Sequence, residues 1–343
     1  MQITTIGLDL AKSVFQVHGV DASGKAVVAK SLRRGQMIAF FAKLPPCLIG
    51  MEACSTAHYW ARELRKLGHT VRLMPPAYVK PYVRRGKNDA NDAAAICEAV
   101  TRPSMRFVPI KSVEQQGALM AHRTRDLLIR QRTQLVNGLR GHLAELGLVA
   151  AQGREGVATL IGVIRAEGVD ALPRPVSDAL LPLIEMLEAL HARIGALEKT
   201  IHAQHRSNEA SRRLETIPGI GVMGATALVA TITDPAAFKS GRDLAAWIGL
   251  VPRQNSSGGK ERLGHISKQG DRYLRRLLVL GAAAVLRHAR AHPDKNPWLI
   301  QLLARRPAKV AIVALANEMA RIAWAVLSRG ETYRAPALAA TPA

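Results

Sequence analysis

Cysteine, aromatic residues and acidic residues are all scarce in this chain, and each shortage excludes something. Only Cys47, Cys54 and Cys97 occur among 343 residues. They have no metal-ligand spacing, which argues against a disulfide-stapled secreted domain and a structural zinc site and leaves three reduced thiols, as expected of a cytoplasmic protein. Phe, Tyr and Trp make up 4% of the residues, so stacking of bases on aromatic platforms is a poor route to nucleic-acid recognition here. No charged segment leads into a long apolar stretch at the start, and the apolar runs Leu277 to Leu286 and Val310 to Ala316 are too short to span a bilayer. No membrane is expected as a partner. The eleven histidines are scattered without an HExxH arrangement.

What the chain has in excess is positive charge. The formal net charge is +22, which points to a polyanionic partner, most simply nucleic acid. The excess is uneven: residues 1–110 carry +9, residues 111–215 carry +2 and residues 216–343 carry +11. Two basic ends flank a nearly neutral middle, and three regions are expected: 1–110, 111–210 and 211–343.

Within the first region acids are few, and four of its seven fall at special places. Asp9 closes the apolar run from Ile3 to Leu8, and Glu52 follows the run Cys47 to Met51; both runs are short enough to read as buried strands. Asp89 and Asp92 lie in the segment Lys87-Asn88-Asp89-Ala90-Asn91-Asp92, where an alanine-rich helix begins. Three apart on a helix, they share a face. Four carboxylates aimed into one cleft are hard oxygen ligands for Mg²⁺ or Mn²⁺. Two such ions, about 3.5–4 Å apart, would clamp the attacking and leaving oxygens of a phosphoryl transfer.

Strands are predicted at 14–20, 26–32 and 71–74 besides those bearing the acids, with helices near 36–44 and 57–67. That order is the order of a ribonuclease H-like (RuvC-like) α/β fold. The middle reads as helical, with a first long helix over roughly 113–148. Leu180, Leu183, Leu187, Leu190, Ile194, Leu197 and Ile201 alternate steps of three and four, a coiled-coil seam. Its partner is the preceding helix folded back, the same helix of another subunit, or simply the core of its own domain. Pro182 is expected in the first turn of this helix, with Gly153, Gly156, Gly168 and the segment Pro173 to Pro175 breaking the chain before it.

In the mostly helical last region, Ile217-Pro218-Gly219-Ile220-Gly221 has the form of a helix-hairpin-helix turn. Gly219 and Gly221 would let backbone amides approach a phosphate. Further on, the loop Gln254 to Lys268 holds Ser256, Ser257, Gly258 and Gly259 among Arg253, Lys260, Arg262 and Lys268, before a basic helix bearing Arg275 and Arg276. These cations are candidate nucleic-acid contacts. A serine in such a loop is part of a phosphate cradle, a nucleophile on phosphorus, or no more than a residue of a solvated loop.

Taken together, these motifs resemble the DEDD transposases of bacterial insertion sequences, a family that includes the Piv-type DNA invertases. The resemblance covers nearly the full length: Asp9, Glu52, Asp89 and Asp92, the helical middle, the Pro-Gly-Ile-Gly turn, and Gly249-Leu-Val-Pro-Arg253 followed by Ser256-Ser257-Gly258. It implies that the four acids hold the metal ions and that a C-terminal serine attacks DNA to form a phosphoserine. Ser257 matches that serine best, with Ser256 adjacent. It further implies a guiding noncoding bridge RNA, double-stranded DNA at the element ends and target, a dimer or tetramer, and a nucleoid-associated location. A RuvC-like endonuclease using water, a DNA invertase and a purely structural nucleic-acid-binding protein are the alternatives.

Overall fold

The structure, a computed structural model, describes residues 2–83, 88–166 and 172–335; Lys87 of the acidic motif and Gly168 lie outside them. Two compact units result, Met1–Gln115 with Thr233–Lys239, and Gln116–Ile232 with Ser240–Ala343.

The first unit is built on strands β1 (Thr5–Asp9), β2 (Val14–Val20), β3 (Ala26–Arg33), β4 (Leu48–Glu52) and β5 (Thr70–Met74), in the order β3-β2-β1-β4-β5. The first three form an antiparallel meander, and β1, β4 and β5 run parallel. This mixed sheet is consistent with a ribonuclease H-like domain. Period-two alternation assigns its faces. Ile6, Leu8, Ile49, Met51, Val71 and Leu73 point into one core, which α1 (Met37–Phe41) and α2 (Ala57–Lys66) cover. The buried residues of α2, Ala57, Trp60, Ala61 and Leu64, repeat at helical spacing. The predicted helix over 36–44 is shorter than expected, a 3₁₀ turn (Arg34–Gln36) leading into α1. After the short α3 (Pro76–Val79), α4 (Asp89–Ala99) covers the other face with Ala95, Ile96 and Ala99.

How closely α4 lies on the sheet is set by glycine. A Cβ at Gly7 would stand 2.0 Å from the Ala93 carbonyl oxygen and 2.4 Å from the Cys97 nitrogen. No side chain fits there, so the helix backbone rests directly on β1.

The second unit contains α5 (Val113–Ala144, from Gln116 onward), α6 (Arg154–Ile164), α7 (Arg174–Ser207), α8 (Glu209–Glu215), α9 (Val222–Thr231), α10 (Gly241–Ile248), the hairpin β6 (Pro252–Gln254) and β7 (Leu263–Ile266), α11 (Arg272–Ala291), α12 (Pro297–Arg305) and α13 (Ala308–Arg329). Pro182 does not begin α7, as expected from sequence; the helix starts at Arg174 with Pro175 in its first turn and runs through Pro182. An interior proline costs about 3 kcal/mol. Leu180, Ile184 and Leu187 flank it and pack against Leu139 and Leu143 of α5 and Leu160 and Ile164 of α6; at about 1.5–3 kcal/mol for each buried side chain, that packing outweighs the proline. The seam is therefore covered here within one chain, with Ile184 buried where Leu183 was expected and Leu197 only half-buried. At the corner after α7, the buried His205 bridges Ser211 (2.8 Å) and Glu215 (2.9 Å) of α8.

α13 departs from expectation as well. It is long and apolar enough to cross a membrane by length and composition. Counting only uninterrupted apolar runs missed this, because Asn317, Glu318 and Arg321 interrupt the run. Its Ala311, Leu315, Met319, Ala320 and Ala323 are buried in the protein, where the helix packs on α10 and α11.

Candidate active site

β1 and β4 are parallel, with Leu8 opposite Met51, so Asp9 and Glu52 leave the sheet side by side at its carboxyl edge, on strands about 4.8 Å apart. α4 brings Asp89 and Asp92 to the same place. Asn88 caps this helix by accepting the Ala90 N–H at 3.0 Å, and both acids occupy its first turn, where the helix dipole favours negative charge. Carboxylate oxygens of Asp9, Asp89 and Asp92 lie within 4.8 Å of one another. Glu52 falls outside that tight group but within its electric field. Burial pushes the Glu52 carboxyl above the usual carboxylate range, and the charges of Asp9 and Asp92 raise it further. Asp9 is raised by burial first, then by Asp92 and Asp89, against a lowering hydrogen bond from the Leu10 backbone.

None of the four acids has an ion-pair partner among the described residues. Two carboxylates at this separation repel by on the order of 3 kcal/mol at the effective dielectric of a protein surface. Crowded oxygen donors with no cation of their own suit a divalent metal ion.

The serine loop is a β-hairpin rather than the open glycine loop expected. β6 and β7 pair antiparallel, and a further bridge joins Ser257 to Lys260. The tip is Gly258 (φ 56°) and Gly259 (φ 74°), and two consecutive left-handed residues make the tight turn whose twist matches a hairpin. The Ser256 hydroxyl accepts the Arg262 N–H at 3.2 Å. Among the described residues the Ser257 hydroxyl has no hydrogen-bond partner, and its carbonyl accepts from Lys260 N–H at 3.1 Å. Arg253, Lys260, Arg262 and Lys268 are exposed; Arg253 donates to the Ser267 carbonyl at 3.3 Å, and Lys268 holds a left-handed φ of 54°. Leu263, on β7, is 66% exposed.

The two glycines of the α8–α9 turn do different things. Gly219 (φ 89°) is packed: a Cβ there would meet Met319 Cε at 2.8 Å and Val285 Cγ2 at 2.9 Å. A Cβ at Gly221 would meet nothing; this glycine caps α9 without a side chain, and both glycines border a cleft of about 330 Å³ with His202, Met223 and Leu277.

Arg275 and Arg276 are likewise occupied within the protein. Arg275 donates to the carbonyls of Ile248 (2.7 Å) and Gln269 (2.9 Å). Arg276 pairs with Asp126 of α5 and lies over the Tyr273 ring. A backbone carbonyl at a helix junction, such as that of the buried Ile248, needs a donor, a demand that a count of basic residues does not register.

Sequence reasoning missed two contributors to the acidic site. Gly7 was legible in principle, since a glycine inside a strand marks close backbone approach. Cys54 stands near the acids: burial raises its thiol, and the charges of Glu52 and Asp9 raise it further.

Residues 211–297 match the "Transposase IS116/IS110/IS902 family" model, and residues 6–147 match a transposase model of DEDD, IS110 type. A "Probable family 20 transposase" of Pseudomonas aeruginosa is 53% identical over 97% of this chain and 99% of its own length. The "Transposase for insertion sequence element IS1111A" of Coxiella burnetii is 43% identical, over 97% and 92%.

Proposed function

The chain belongs to the IS116/IS110/IS902 family of transposases, and on that premise we propose that it cuts and rejoins DNA at the ends of its own insertion sequence. The observation that carries this reading is the meeting of Asp9, Asp89 and Asp92, with Glu52 beside them, at one edge of the sheet. Asp9, Asp89 and Asp92, with Glu52 beside them, would hold a divalent ion, which would supply Lewis acidity at the scissile phosphate and charge stabilisation for the leaving oxygen.

Ser257 is the nucleophile in this reading. Its Oγ forms a bond to phosphorus, the bond from phosphorus to the 3′ oxygen breaks, and the serine proton is lost to solvent. A phosphoserine on the 5′ side and a free 3′ hydroxyl remain. That hydroxyl, on the exchanged strand, then attacks the phosphoserine and restores Ser257. The free hydroxyl of Ser257, against the engaged one of Ser256, supports this choice. Arg253, Lys260, Arg262 and Lys268 hold flanking phosphates, and the amides at Gly221 contact backbone without reading sequence.

A noncoding guide RNA reads the target, in keeping with the scarcity of aromatic residues, and the protein works as a dimer or tetramer. The test uses a nicked suicide duplex carrying the element end, with Mg²⁺. Wild type and Ser256→Ala form a denaturation-resistant adduct that maps to Ser257, and Ser257→Ala forms none. Cleavage without any adduct would point instead to a water-using endonuclease.

A further inference from the structure

Between Arg272 and Asn317 the chain has nine Lys and Arg residues and a single acid, Asp294. Helix α11 organises part of this charge. Its buried face, Leu274, Leu278, Ala282, Leu286 and Ala289, packs into the second unit. On the opposite side Arg272, Arg287 and Arg290 are exposed, and none of them has an ion-pair partner among the described residues.

Eighteen residues are five turns of an α-helix, so Arg272 and Arg290 stand on one line about 27 Å apart, with Arg287 about 60° round from it. Between the cationic ends the face is apolar at Leu280, 60% exposed, and at the exposed Ala284. Arg276 also lies on this side, its charge shared with Asp126.

We propose that the outer face of α11 is a docking surface for duplex DNA, with Arg272, Arg287 and Arg290 on backbone phosphates and the stretch around Leu280 and Ala284 facing the major groove. This rests on the transposase reading and adds a surface to it. The shape decides between nucleic acids. The major groove of B-form DNA admits an α-helix, whereas that of an A-form RNA helix is too deep and narrow for side chains to read. The centre carries no hydrogen-bonding side chain at Leu280 or Ala284, so the contact positions the duplex and leaves sequence unread.

The experiment measures affinity for a short element-end duplex against salt concentration. Each phosphate contact contributes about 0.9 to the log–log slope. The Arg287→Gln/Arg290→Gln double variant is expected to lower the slope by about 1.8 and Arg272→Gln by about 0.9, with circular dichroism unchanged. Arg287→Lys/Arg290→Lys restores most of the slope, and Arg193→Gln, an exposed arginine on α7, leaves it unchanged. Normal wild-type binding with an unaltered slope in the double variant overturns the surface and leaves the transposase reading standing. A slope change seen with duplex RNA and not with duplex DNA overturns the choice of partner. A wild-type protein that bound no duplex would overturn both readings together.

Discussion

Replacing Gly7 with alanine tests how the acidic site is held together. The added Cβ would stand 2.0 Å from the Ala93 carbonyl oxygen, and ordinary contact begins near 3.4 Å, so α4 must retreat by about 1.4 Å or the strand must bend by as much. Both groups are backbone, and no rotamer can relieve the clash. Overpacking of this kind costs about 1–3 kcal/mol. Ala93 directly follows Asp92, so the retreat draws Asp92 and Asp89 away from Asp9, and displacement of reacting groups by about 1 Å costs on the order of 10²-fold in rate.

Gly7→Ala is therefore expected to lower the urea midpoint modestly and Mg²⁺-dependent strand cleavage about a hundredfold, with duplex affinity nearly intact because most of the cations lie elsewhere. Gly50→Ala is the contrast. Its Cβ would meet the Val100 side chain at 2.7 Å, at the far end of α4 from the acids, so it should cost stability while cleavage stays near wild type. Wild-type cleavage and metal affinity in a folded Gly7→Ala protein would refute the argument that this contact positions the carboxylates.

Asp92→Asn should abolish cleavage and yet stabilise the metal-free protein by about 1–3 kcal/mol, because it relieves carboxylate repulsion; thermal melts with and without Mg²⁺ check this, and an unchanged Mg²⁺-induced shift would exclude Asp92 as a ligand. Burial, with a smaller contribution from Arg125, holds His122 down at about 4. The folded protein thus keeps this histidine neutral while the unfolded chain takes up a proton near pH 6.5, so its contribution is complete above pH 6.5 and is lost as pH falls toward 4. The loss amounts to about 3 kcal/mol, and a stability–pH slope across that window unchanged in His122→Asn would count against it. Leu187→Asp, at a fully buried seam position, should unfold the α5–α7 packing at constant molecular mass; dissociation with helicity preserved would show that the seam belongs to a subunit interface.

The elements that carry the acids were legible because their signals are local. Alternation of Ile6, Gly7 and Leu8 specifies a strand with one buried face, Asp9 and Glu52 each close such a run, and the three-residue spacing of Asp89 and Asp92 specifies a shared helix face. Parallel pairing of β1 with β4 then follows from the strand order that the pattern suggested. Other outcomes depended on neighbours distant in sequence. Pro182 sits inside a helix because Leu139, Leu143, Leu160 and Ile164 bury the residues on either side of it. Gly219 is a packing glycine because Met319 and Val285 press on it, and Gly221 opens outward because nothing does. Arg275 serves two carbonyls and Arg276 an aspartate, although both read from sequence as cations for DNA.

Sequence by itself determined the strands and helices that carry the acids, the buried runs of β1 and β4 and where charge accumulates, since these follow from short-range periodicity and composition; the β6–β7 hairpin and the true start of α7 did not. Only the tertiary structure decided which polar groups meet partners inside the protein and which remain for a ligand. The physical reason is that a buried carbonyl, carboxylate or backbone contact takes whichever donor or glycine the fold brings to it, and that proximity is written in no local pattern.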